Sequence, residues 1–95
     1  MKNATIIKKI NDLFPVQGED KPIAFESNGQ IVVSAETDCF LDRIEDMDIY
    51  LPVADYYGEF RGCYPWIDKR LVKLLSDNHF IISWYDGGTL QVSRL

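Results

Sequence analysis

The chain has 95 residues, ten Lys/Arg against fifteen Asp/Glu, one histidine and a net charge of −5. One domain fits this length, with an unstapled core burying roughly 60–68% of the unfolded surface. An apolar fraction of 46%, with 13% aromatic residues, excludes a disordered chain. No window approaches the roughly 18 apolar residues of a membrane span, so no membrane partner is expected.

The first expected element is a helix. Ile6, Ile10, Leu13 and Phe14 recur at i, i+4, i+7 and i+8, one helical face. Asn3 or Thr5 is positioned to cap its start, and Pro15 to stop it. The opening segment has no uninterrupted apolar core or small-residue cleavage site, which predicts a cytoplasmic protein. "VQGEDK" reads as a loop. "PIAFES", "NG" and "QIVVSA" then predict a hairpin, because Asn28 and Gly29 both tolerate positive φ.

Residues 36–64 form a connector, and it is acidic. Between 36 and 59 stand Glu36, Asp38, Asp42, Glu45, Asp46, Asp48, Asp55 and Glu59 against Arg43 alone. Phe40, Leu41, Ile44 and Met47 fit a short helix, while Ile49 and Leu51 fit an edge strand. Such carboxylates either keep a small protein soluble or offer a field to a basic partner. Direct nucleic-acid binding is not expected, since that needs clustered Lys/Arg.

"DYYGEFRGCYPWIDKR" (55–70) packs Tyr56, Tyr57, Phe60, Tyr64 and Trp66 around Gly58, Gly62 and Pro65. The rings serve either as packing between helix and sheet or as a recognition surface. If the piece is extended, Glu59 and Arg61 share a side and pair, with Phe60 turned to the core. Pro65 suits a first helical turn. Ile67, Leu71, Leu74 and Leu75 repeat the spacing of the first helix, and Asn78 is placed to end it left-handed. "HFIISWY", "DGG" and "TLQVSRL" predict a second hairpin. A three-residue loop sets Trp84 opposite Leu90 and Ile82 opposite Val92.

These elements predict an α+β domain over 1–95: a mostly antiparallel sheet of four or five strands with two helices on one face. The expected core is Ile6, Ile10, Leu13, Phe14, Phe25, Val32, Phe60, Trp66, Ile67, Leu71, Leu74, Leu75, Ile82 and Trp84.

"ADYYGEFRGCYPWI" (54–67) resembles a segment of small phage, prophage and conjugative-element proteins of uncharacterised function, in which a DYYGEFRGGYPWI-like core precedes a helix and a final hairpin. Asp55 to Gly62, Tyr64, Pro65, Trp66 and Ile67 carry the resemblance. Cys63 stands where glycine is expected, which speaks against a required positive φ there. The resemblance implies a mobile-element setting, where small acidic proteins often modulate host machinery. It supplies no catalytic residue.

Catalytic chemistry has few candidates. Cys63 precedes a helix and His79 opens a strand, but nothing in the spacing brings them together. Asp42, Asp46 and Asp48 lack the pattern of a calcium loop, and two cysteines with one histidine make no zinc site. No cofactor or metal is expected, and both cysteines are expected to be reduced. Lys69, Arg70 and Lys73 form a small basic patch: a solvated helix face, or a seat for the acidic connector of a second copy in a homodimer.

The expected function is a non-enzymatic protein-binding accessory protein. Its contact residues are Glu36, Asp38, Asp42, Glu45, Asp46, Asp48, Tyr56, Tyr57, Glu59 and Arg61. In its sharper form it is a DNA mimic that inhibits host defence. The alternative is a small ligand-binding or enzymatic domain centred on Arg61, Glu59 and Cys63.

Overall fold

The computed structural model describes residues 1–55 and 66–95, with only the backbone of Phe40, Leu41, Asp42 and Ile44. The elements run α1 (Asn3–Leu13), β1 (Ala24–Ser27), β2 (Gln30–Ser34), β3 (Cys39–Ile44), β4 (Met47–Leu51), α2 (Lys69–Asp77), β5 (Phe80–Asp86) and β6 (Thr89–Arg94). Four strands form one antiparallel sheet in the order β1-β2-β6-β5, and β3-β4 form a separate two-stranded sheet. This is the expected α+β architecture, with the connector's strands standing apart.

The alternation of each strand sorts the main sheet into two faces. Ala24, Ile31, Val33, Leu90, Val92, Phe80 and Ile82 point inward and are buried. Ile6 and Ile10 of α1 and Leu71 and Leu75 of α2 cover them from one side, as the helical periodicity predicts. Val53, Ala54 and Ile67 complete the core, joined through the Ala54–Ile67 bridge.

Several expectations need correction. Phe25 lies on the outer face, 47% exposed, because it pairs with Val32 one residue out of phase with Ala24 and Val33. Val32 is half-buried there. Leu13 is exposed at the end of α1, and Leu74, Trp66 and Trp84 are half-buried. Phe60 and Pro65 lie outside the described residues. Ile67 is a bridge residue, and α2 starts only at Lys69. Asp68 forms the cap, its carboxylate accepting from the Arg70 backbone N–H at 2.8 Å.

Other cap and turn corrections follow. Neither Asn3 nor Thr5 caps α1; Lys2 occupies that position with no side-chain bond. Asn3 instead donates to Glu26 at 2.9 Å and accepts from Arg94 at 2.9 Å, tying the helix to the sheet. The left-handed residue after α2 is His79 (φ 65), while Asn78 bonds the Leu74 carbonyl through its side chain. In the second hairpin Trp84–Leu90 and Ile82–Val92 pair as expected. The register then shifts between Trp84 and Asp86, so Tyr85 is the extra residue of a bulge and Gly87–Gly88 the turn. The helical option for the connector fails. Asn28–Gly29 adopts the expected turn, with φ of 52 and 78.

The two edges of the main sheet differ. Ser27–Gln30 brackets a two-residue turn, and the Ser34 N–H donates to the Ile23 carbonyl at 2.8 Å. Residues 23, 25 and 27 therefore bond inward, and Ala24 points its backbone groups outward. The Asn11 side chain meets both, accepting from the Ala24 N–H at 2.8 Å and donating to its carbonyl at 2.9 Å. A side-chain amide thus stands where a neighbouring strand would be.

Candidate partner-binding surface

Of the ten expected contact residues, Asp42, Glu45, Asp46 and Asp48 lie on the β3-β4 hairpin. Its root is apolar. Cys39 is fully buried, bridges to Val16, and donates its thiol to the Leu51 carbonyl at 3.4 Å. Burial pushes this thiol up to about 11, helped by the charges of Asp68 and Asp38. It is therefore an inert core group rather than a nucleophile. Beyond the root, β3 and β4 pair with each other in a sheet separate from the main one. Glu45 and Asp46 make the tip, at φ 51 and 64, the mirror-image turn that suits a tight hairpin. Short polar chains tolerate that conformation better than bulky ones.

The tip holds exposed carboxylates at Glu45, Asp46 and Asp48. Asp48 faces Arg43 across the strands at 3.9 Å and accepts from the Tyr50 hydroxyl at 3.1 Å. Arg43 and Asp48 are both well exposed, so water screens the pair and leaves the field of the tip acidic. The Asp42 backbone pairs with Ile49, one register step away.

Glu36 and Asp38 sit at the base of the arm, not at its tip. They line an open cleft of about 1010 Å³ with Asp20, Lys21, Phe25, Val32 and Thr37. The Glu36 carboxylate lies over Gly88, where a Cβ would come within 2.6 Å of its Oε1. Gly88 also accepts from the Ala35 N–H at 3.0 Å, so this close approach holds the base of the arm against the second hairpin turn. The Ser34 and Thr37 hydroxyls meet at 2.9 Å beside it. Asp20 belongs to the "VQGEDK" loop, and no local pattern in that loop signals its place in the cleft.

The carboxylates thus fall into two groups, three at the tip and two at the base joined by Asp20. Tyr56, Tyr57, Glu59, Arg61 and Cys63 lie outside the described residues. Asp55 donates its backbone N–H to nothing on the arm; its partner is the Trp66 carbonyl at 3.1 Å.

Two of the three bases of the expected α2 patch pair locally, and the third, Lys69, is exposed. Arg70 forks onto Asp68 at 3.2 Å and lies over the Phe14 ring at 5.3 Å, and Lys73 meets Asp77 at 2.9 Å. His79 is exposed and serves the turn into β5. Among the described residues no three His, Cys, Asp or Glu side chains group to hold a metal ion, and no helix is long and apolar enough to cross a membrane. No protein-family model, curated protein or solved structure matches the chain.

Proposed function

We propose that the protein is a non-enzymatic accessory protein that binds another protein through the acidic β3-β4 arm. The partner presents a basic surface. In the sharper form of this reading, that surface is the nucleic-acid-binding site of a host defence complex, and the arm mimics the charge of DNA on behalf of a mobile element. The observation that carries the reading is the tip itself: Glu45, Asp46 and Asp48 are exposed at the end of a hairpin whose root residue Cys39 is buried in the core. An arm of this kind adds little to the core and presents charge at a distance from it, as electrostatic steering of a partner requires. The cleft at its base, with Glu36 and Asp38, extends the acidic contact toward the sheet.

The test is a pull-down from the native host with two baits, the wild-type chain and the variant Asp42→Lys, Glu45→Lys, Asp46→Lys, Asp48→Lys. Circular dichroism first establishes that the variant folds. The expected result is a protein retained by wild type at low salt, released by added salt, and absent from the variant. A partner retained equally by both baits contradicts the reading.

A further inference from the structure

The tip of the first hairpin carries a reactive pair that neither the core nor the acidic arm uses. The chain has four asparagines, and three are tied down. Asn3 bonds Glu26 and Arg94, Asn11 bonds both backbone groups of Ala24, and Asn78 donates to the Leu74 carbonyl. Asn28 is exposed, and among the described residues its side chain bonds nothing. It is also the one asparagine followed by glycine. Gly29 is exposed, and a Cβ built on it would meet nothing within 4 Å. Its carbonyl takes a long 3.4 Å bond from Asn3, while among the described residues its N–H has no partner. Lacking a Cβ, a glycine leaves its backbone nitrogen open to the side chain before it. The corresponding pair of the second hairpin, Asp86–Gly87, is restrained, because the Asp86 carboxylate accepts from the Gly88 N–H at 2.9 Å.

We propose that Asn28 is a modification site, deamidating spontaneously in the folded chain. The Gly29 backbone nitrogen attacks Cγ of Asn28. The N–Cγ bond forms, the Cγ–Nδ2 bond breaks, and the amide nitrogen leaves as ammonia with the proton of the Gly29 nitrogen. The product is a cyclic imide. Water then cleaves one of its two C–N bonds. Cleavage at Cγ leaves an aspartate, and cleavage at the main-chain carbonyl leaves an isoaspartate, whose backbone runs through the side chain. Nothing is oxidised or reduced, and water is the co-reactant. Ring closure needs rotation of Asn28 out of its turn conformation, which an exposed hairpin tip permits at small cost. Either product adds one negative charge to the net −5. The isoaspartate also lengthens the backbone of the two-residue turn that sets the Ser27–Gln30 pair, and so loosens the register of β1 against β2.

Peptide mass spectrometry of the folded full-length chain, sampled during warm incubation at mildly alkaline pH, tests this. Asn28 is expected to convert to a mixture of aspartate and isoaspartate while Asn3, Asn11 and Asn78 stay intact. Asn28→Gln, whose longer side chain would have to close a larger ring, is expected to stay unconverted. A second variant separates local from global opening. Leu71→Ala weakens the core and is expected to convert at the wild-type rate. A rate that rises with the lost stability would mean that the reaction waits for the whole chain to unfold, and overturns the proposal. So does an Asn28 that stays intact in the folded chain while the urea-unfolded chain converts, or conversion spread evenly over all four asparagines.

Discussion

The helix-covered sheet and the β3-β4 arm are built from the same chain on opposite principles. In the body, apolar residues of both helices and all four strands converge on one core, and no described buried side-chain polar atom lacks a partner. In the arm, the described side chains that reach that core are those of the root residues Cys39 and Leu51, and the tip holds the exposed acids Glu45, Asp46 and Asp48. The difference teaches that stability and charge are housed separately here. Substitution in the body should cost stability, whereas substitution at the tip should change only what the surface attracts.

The sharpest way to break this comparison is a truncation in the core. Leu71→Ala removes a fully buried side chain and is expected to cost about 3 kcal/mol, read as a lower urea midpoint. A cost under about 1 kcal/mol would mean that the body is not the cohesive half.

The root of the arm gives the next effect, through pH. The Cys39 thiol keeps its proton up to about 11 in the folded chain, while an unfolded thiol releases it near 9. Folding is thus favoured fully below pH 9, and that contribution fades as pH rises from 9 to 11, by up to about 2–3 kcal/mol. Cys39→Val is expected to remove this part of the alkaline loss, measured by urea unfolding at pH 8, 9, 10 and 11. Identical pH profiles for the two proteins would place the thiol outside the core.

A smaller effect belongs to the plugged edge. Asn11→Ala leaves the Ala24 N–H and carbonyl without their partner and is expected to cost about 1–2 kcal/mol. Amide exchange at Ala24 should accelerate in the same variant. The smallest effect is expected at the tip, where Glu45→Lys with Asp46→Lys should shift stability by no more than about 0.5 kcal/mol. A larger loss there would show the arm to be structural.

The sequence carried the body better than the arm. Both helical stripes, the Asn28–Gly29 turn and the Trp84–Leu90 register follow from spacing and turn chemistry over short distances. Phe25 and Val32 misled because β1 and β2 carry apolar residues on both faces, so alternation alone does not say which face is buried. The connector misled for a related reason. Phe40, Leu41, Ile44 and Met47 match a helical stripe, yet the turn at Glu45–Asp46 and pairing with β4 override it. Asp68 was hidden by Ile67, whose spacing extended the helical pattern one turn too early. Asn11 left no local signal at all, since its partner Ala24 lies 13 residues away. Of the site, the acidity was legible, but its division into tip and base was not, because that depends on Glu36 settling over Gly88.

The central claim is that the charge of the arm is what a partner feels. It is tested most directly by titrating the affinity for the captured partner against salt, for wild type and for the four-lysine arm variant. The account predicts a steep loss of wild-type affinity with rising ionic strength, and a far weaker, flatter binding curve for the variant. Equal affinity and equal salt dependence for the two proteins would contradict it.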